Sequence, residues 1–165
     1  MKTGLHTISY AGVWPGQARL TLSEIIVRAG RLGYDGLMIA AKRPHLSVLD
    51  YDDDAVKRLR EELDRAEVGV ACLAGYTNLS ADAGHGDVPI NEMQIAYIAR
   101  MAEMARMLGS SIVRVFTAYE HPALTEAALR ERVVAGLKEA SRRAAGFGVT
   151  LAVQHHHDFA SHWLA

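Results

Sequence analysis

A glycine recurs at one kind of joint four times along the chain. Gly33, Gly69, Gly109 and Gly148 stand 36, 40 and 39 residues apart, each after a segment with helical apolar spacing and each before a short apolar run. The stretches are "RLGYDGLMIA", "RAEVGVACLA", "MLGSSIVRVF" and "GFGVTLAV". Glycine suits the left-handed residue that closes many helices. Apolar runs of roughly four to eight residues fit strands buried on both faces. Strand-plus-helix units of this length imply parallel pairing, because a parallel crossover has to carry the chain back along the sheet. The expected class is α/β, with five strands, four full helices and a fifth helix starting near Ala160.

Helix starts fit the same scheme. "TLSE" sets Thr21 three residues before Glu24, and "NEMQ" sets Asn91 three before Gln94, so a capping box is expected at both. Asp52, Asp53 and Asp54 open "DDDAVKRLREEL", where negative charge favours a helix N-terminus. An initial strand is expected around residues 5 to 11.

Composition narrows the setting. The chain has 165 residues, half of them hydrophobic, enough for one domain with a real core. With 18 basic and 19 acidic side chains it carries no electrostatic footprint for nucleic acid or an anionic membrane. The single cysteine, Cys72, lies in "VGVACLA" and is expected to be a buried, inert thiol. "MKTGLHTISY" lacks the apolar core of a secretion signal, and no run approaches the ~20 apolar residues of a membrane span, so a cytoplasmic protein is expected.

The loops are unequal. Helix-to-strand connections are tight, whereas the strand-to-helix connections are long and polar: "YAGVWPGQARLT", "AKRPHLSVLDYD", "GYTNLSADAGHGDVPIN", "TAYEHPALT" and "QHHHDFASHWLA". In parallel α/β folds ligands bind where such loops gather, at the carboxyl ends of the strands. Side chains alternate along a strand, so if Ala152 faces the interior, Gln154 and His156 face it too, with His155 and His157 opposite. The alternative is that these histidines are solvated loop residues or fold back to cap helix amides.

"YDGLMIAAKRPHLS", "CLAGYTNLS", "VRVFTAYE" and "GVTLAVQHHHDF", in that order, resemble the second to fifth strands and following loops of the xylose-isomerase-like TIM barrels, a family of sugar phosphate isomerases and epimerases. The resemblance implies parallel (β/α) units of a TIM barrel, here a partial barrel of about five strands. It implies metal-assisted proton chemistry on a sugar or polyol, with a divalent ion (Mn, Mg or Zn) in the complete barrel. Where the family places its first metal ligand, a glutamate ending strand five, this chain has Gln154, whose neutral amide binds a hard cation more weakly. His156 matches the place of a histidine near the substrate. Such a base removes a proton next to a carbonyl and a metal stabilises the enediolate that results.

The loop after strand two offers Lys42, Arg43 and His45 to orient a polar or phosphorylated substrate, or as solvated residues. Trp14 and Tyr76 are candidates to stack on a sugar face, or to pack beneath a loop. His121 and Glu120 are weaker candidates, while His6 is expected to be structural and His85 exposed.

A complete barrel of this kind takes about 250 residues, so the 165-residue chain is expected to be a fragment, a half completed by a C-terminal half on another chain, or a homo-oligomer. The later strands' metal ligands are missing from it. Two function classes therefore stand side by side: an isomerase, epimerase or related lyase completed from elsewhere, and a non-catalytic half-barrel that binds a sugar or a partner without turnover.

Overall fold

Each expected strand joins one parallel sheet. The structure, a computed structural model, describes residues 1–156. The expected fifth helix near Ala160 and His157 lie outside the described residues. The strands are β1 (Gly4–His6), β2 (Gly36–Ala40), β3 (Gly69–Ala74), β4 (Ile112–Val115) and β5 (Thr150–Val153). They lie side by side in chain order, every adjacent pair parallel. The helices are α1 (Leu22–Arg31), α2 (Asp53–Arg65), α3 (Ile90–Met107) and α4 (Glu126–Ala145). Sequential order with crossovers of one hand puts every helix on the same face of the sheet. That is the arc of a barrel wall, helices outside.

Alternation along the strands divides the residues between the two faces. Leu37, Ile39, Leu73, Val113 and Val115 point outward into one core with Ile25, Val56, Met101 and Ala140 of the four helices. The residues between them occupy the inner face. His6 pairs in register with Met38 and Met38 with Cys72, while Ala74 pairs with Arg114 and Arg114 with Ala152. Cys72 is a buried free thiol whose pKa burial pushes up, as its apolar run implies.

Of the three helix starts expected from the sequence, two are met and one is displaced. Thr21 and Glu24 form a complete capping box. Asp52 accepts from the Ala55 N–H at 2.8 Å, and Thr125 caps α4 through the Ala128 N–H. Asn91, however, lies inside the first turn of α3, which begins at Ile90 behind Pro89. Gln94 turns away from the expected box and accepts from the Asn78 N–H at 3.2 Å, tying α3 to the loop after β3. The first strand is also shorter than the span 5 to 11. It ends at His6 and runs into a 3-10 turn, Thr7–Tyr10, where the Thr7 hydroxyl accepts from the Ala40 N–H at 2.9 Å.

The recurrent joint is left-handed at Gly33, Gly109 and Gly148, with φ of 74°, 78° and 71°. At the second joint the left-handed residue is Glu67, φ 56°, and Gly69 is already the first residue of β3. Close backbone approach accounts for the glycine there: a Cβ on Gly69 would lie 3.3 Å from the Asp35 carbonyl oxygen. A non-glycine residue in this conformation is strained by roughly 1 kcal/mol. Glu67→Gly is therefore expected to raise unfolding free energy by about 0.5–1 kcal/mol in urea titrations, net of glycine's larger chain entropy. A loss of stability would contradict the strain at this joint.

Among the described residues no helix is long and apolar enough to cross a membrane.

Candidate functional site

Because all the strands run the same way, their long loops emerge together at the carboxyl edge of the sheet. There the inner face carries a connected row of side chains from β2 to β5. Lys42, just past β2, places its ammonium 4.1 Å from the ring centre of Tyr76, just past β3. Tyr76 meets Phe116, just past β4, edge to face at 6.0 Å. Phe116 meets His156, beyond β5, edge to face at 5.0 Å. Beneath them Arg114 sets its guanidinium 4.1 Å from the Phe116 ring and 5.0 Å from the Tyr76 ring, and donates from Nη1 to the Gly75 carbonyl at 2.7 Å.

Burial governs the electrostatics of this row. It lowers the pKa of Arg114 and raises that of Tyr76. Tyr97 of α3, whose hydroxyl donates to the Ala41 carbonyl, is pushed up to about 12, again mainly by burial. Across the inner face, His6 has its Nδ1 3.1 Å from the Met38 carbonyl. Its pKa is lowered, first by burial and then by the positive charge of Arg114.

His6 and His45 are both lowered by burial, and the linkage has a definite sign. With the folded pKa below the unfolded one, stability is intact where both states are neutral, above the unfolded value of about 6.5. It is lost as pH falls from there through the folded pKa, because only the unfolded chain takes up the protons. Thermal melts are expected to show a lower Tm at pH 5 than at pH 7.5, with His45→Gln flattening part of the slope. An unchanged slope in that variant would contradict the assignment.

The sequence-derived candidates divide. Lys42, Tyr76 and His156 come together in the row. Gln154 is exposed just past β5, its backbone N–H donating to the Val115 carbonyl at 3.0 Å, and it continues the inner-face alternation of Arg114 and Ala152. Trp14 stands 59% exposed on the loop after β1. Arg43 pairs with Asp50 through Nε and Nη2, at 2.7 and 2.5 Å, so its charge is engaged within its own loop. His45 is only 2% exposed and has Nε2 3.3 Å from the Leu20 carbonyl, a strap between the first two strand-to-helix loops. A solute on the open face does not reach it. His121 holds a local turn, its Nδ1 accepting from the Ala123 N–H, and Glu120 and His85 are exposed.

Arg114 and Phe116 are not among the sequence-derived candidates. The signal was present in "IVRVF", where an arginine interrupts an apolar buried strand at the position that alternation sends to the inner face.

The donors for a divalent ion fall short. Among the described residues no group of three or more His, Cys, Asp or Glu converges to hold a metal. The Gln154 amide offers one neutral oxygen, which is insufficient alone for a hard cation that takes several oxygen ligands.

Comparison with known proteins gives the same architecture. The probable 3-DHS dehydratase AsbF from Bacillus anthracis aligns with a TM-score of 0.71 at 17% identity, over 96% of this chain and 54% of its own. D-psicose 3-epimerase from Clostridium cellulolyticum, solved with D-tagatose, aligns with 0.72 at 18%, over 93% and 52%. A xylose isomerase-like TIM barrel protein from Mycobacterium smegmatis, in complex with magnesium, aligns with 0.69 at 14%, over 96% and 56%. The chain thus spans about half the length of the solved structures it matches. No curated protein matches it. The family model for the xylose isomerase-like TIM barrel matches residues 26–164, and a wall of parallel strands with all helices outside is what that match requires, so the chain belongs to the xylose isomerase-like TIM barrel family.

Proposed function

We propose that residues 1–165 form one partial barrel domain of an isomerase or epimerase that moves a proton next to the carbonyl of a sugar or polyol. The carrying observation is the contact of His156 with Phe116, which joins the imidazole to Tyr76 and Lys42 at the carboxyl edge. In this reading Tyr76 supplies a face for the carbon chain and Lys42 donates to substrate oxygens. Trp14 closes over the sugar from the first loop, and His156 takes the proton as general base. Arg43 and His45 act as supports of the second loop, one through Asp50 and the other through Leu20. An epimerase and a dehydratase among the structural relatives support proton abstraction as the shared chemistry.

The magnesium-bound relative supports a divalent ion (Mg, Mn or Zn) in the complete barrel. It would supply charge to stabilise the enediolate. The described residues do not build its site, and no step above passes through it. Gln154→Glu is expected to tighten Mn2+ binding on the order of tenfold in calorimetry, because a carboxylate replaces a neutral amide. Equal affinities would remove Gln154 from the ligand position.

The experiment for the reading is incubation of the 165-residue chain with D-tagatose in D2O, with proton NMR following loss of the signal next to the carbonyl. Exchange above the protein-free rate is expected. A second reading, a half-barrel that binds a polyol without turnover, is favoured by the neutral Gln154 and the incomplete donor set; it predicts binding without exchange. In either reading the inner face, on which Ala152 is exposed, is covered by a second copy or by a completing C-terminal half, and the protein works in the cytoplasm without nucleic-acid or membrane partners.

A further inference from the structure

The loop after β1 is held more firmly than its exposure calls for. Its stretch "WPGQ" sets Pro15 and Gly16 at the two central positions of a turn that the Gln17 N–H closes on the Trp14 carbonyl at 3.0 Å. Gly16 has a φ of 78°, as a type II turn demands at its third residue, and Pro15 presets φ at the second. At the base of the loop Ala11 and Arg19 form an antiparallel bridge, and the Leu20 N–H donates to the Tyr10 carbonyl at 3.0 Å.

Gln17 ties the tip to the base. Its side-chain Oε1 accepts from the Val13 N–H at 2.8 Å, while Nε2 donates to the Ile8 carbonyl at 2.7 Å. The pair of bonds needs an acceptor and a donor side by side on one group, which the glutamine amide supplies and a glutamate does not. Backbone and side chain of one residue therefore fix the turn and the span beneath it. What the tip carries is Trp14, 59% exposed. Among the described residues no aromatic ring or cation stacks on its indole. The indole adds little to the core, so the restraint does not serve burial. It serves recognition, because an aromatic face already held in place loses less freedom when a ligand covers it.

We propose that Gln17 is a positioning residue that holds Trp14 ready for the apolar face of a ligand at the carboxyl edge of the sheet. This rests on the reading of Trp14 as a sugar-stacking side chain and adds what keeps it in place. Gln17 acts through Trp14 and makes no contact with the ligand itself.

NMR of the isotope-labelled full chain tests it with two readouts. The backbone order parameter at Trp14 is expected to lie at about 0.85, as in a rigid element, and to fall below about 0.6 in Gln17→Ala. Titration with D-tagatose then compares affinities of the native chain, Gln17→Ala, Trp14→Ala and the double variant. Gln17→Ala is expected to weaken binding about three- to tenfold, and the double variant to bind no more weakly than Trp14→Ala. A residue that acts through the indole has nothing to hold once the indole is gone. Pro15→Ala leaves every one of these hydrogen bonds in place and frees only the preset φ; it is expected to lower the order at Trp14 in the same direction, and it serves if Gln17→Ala does not fold. A mobile Trp14 in the native chain, unchanged order in Gln17→Ala, or affinity losses that add in the double variant would overturn the proposal. Undiminished binding of D-tagatose by Trp14→Ala, or no binding by the native chain, would instead sink the sugar-stacking reading, while a fall in order in Gln17→Ala would still support the positioning.

Discussion

Leu73→Ala is expected to cost about 2–5 kcal/mol of unfolding free energy, the range for truncating a fully buried leucine. Leu73 is 0% exposed, lies on β3 in the middle of the sheet and faces the common core with Ile39, Val113 and Met101. Its neighbours belong to a sheet whose pairing fixes their backbone, so the cavity cannot collapse and its cost adds to the lost transfer energy. For a domain with the usual ~5–15 kcal/mol of stability this is a large fraction. Urea denaturation followed by circular dichroism measures it. A change under 1 kcal/mol would mean that β3 is not the centre of the core. Leu49, an apolar residue of the second loop that is 80% exposed, is the control: Leu49→Ala should stay within about 0.5 kcal/mol.

His156→Gln is expected to lower the rate of deuterium exchange into D-tagatose by about 100- to 10,000-fold, the contribution typical of a positioned general base. Glutamine keeps a similar polar shape against Phe116 but cannot accept the proton, so binding of the sugar should change far less than turnover. His155→Gln, one residue earlier and exposed, is the matched control and should leave the rate within a few-fold. Equal losses in both variants, or none in either, would move the base elsewhere on the face. His6 is then the first alternative, because it shares the inner face, lies near Arg114 and has a lowered pKa.

The fold was readable because it is dictated locally and repeatedly. A helix face needs apolar residues at helical spacing, a doubly covered strand needs an apolar run, and the joint between them needs a residue that tolerates positive φ. These demands produced the spacing of Gly33, Gly109 and Gly148. The reading failed where a second force competed. Gly69 answers to the approach of the Asp35 carbonyl, and Glu67 takes the left-handed turn. Asn91 had the pattern of a cap, but the cap position falls two residues earlier, at Pro89, and Gln94 bonds across to Asn78.

The site was readable only in part. Lys42, Tyr76 and His156 stand out by residue type in loops at the right edge of the sheet. That Arg43 reaches Asp50 and His45 reaches Leu20 depends on how the second loop folds over the first, which no periodicity records. Arg114 sits in a strand and not in one of the long loops that mark the site in the sequence. The geometry that matters there, a cation against two aromatic rings, joins residues from β4 and from the loop after β3.

In the proposed function, ligands bind on the inner face along the row from Lys42 to His156. Amide NMR of the labelled chain, titrated with D-tagatose, tests it most directly. Shift changes centred on Lys42, Tyr76, Arg114, Phe116 and His156, saturating together, are expected. Changes centred on the outer groove between α1 and α2, lined by Val27, Gly30 and Ala66, or no saturable change at all, would contradict it.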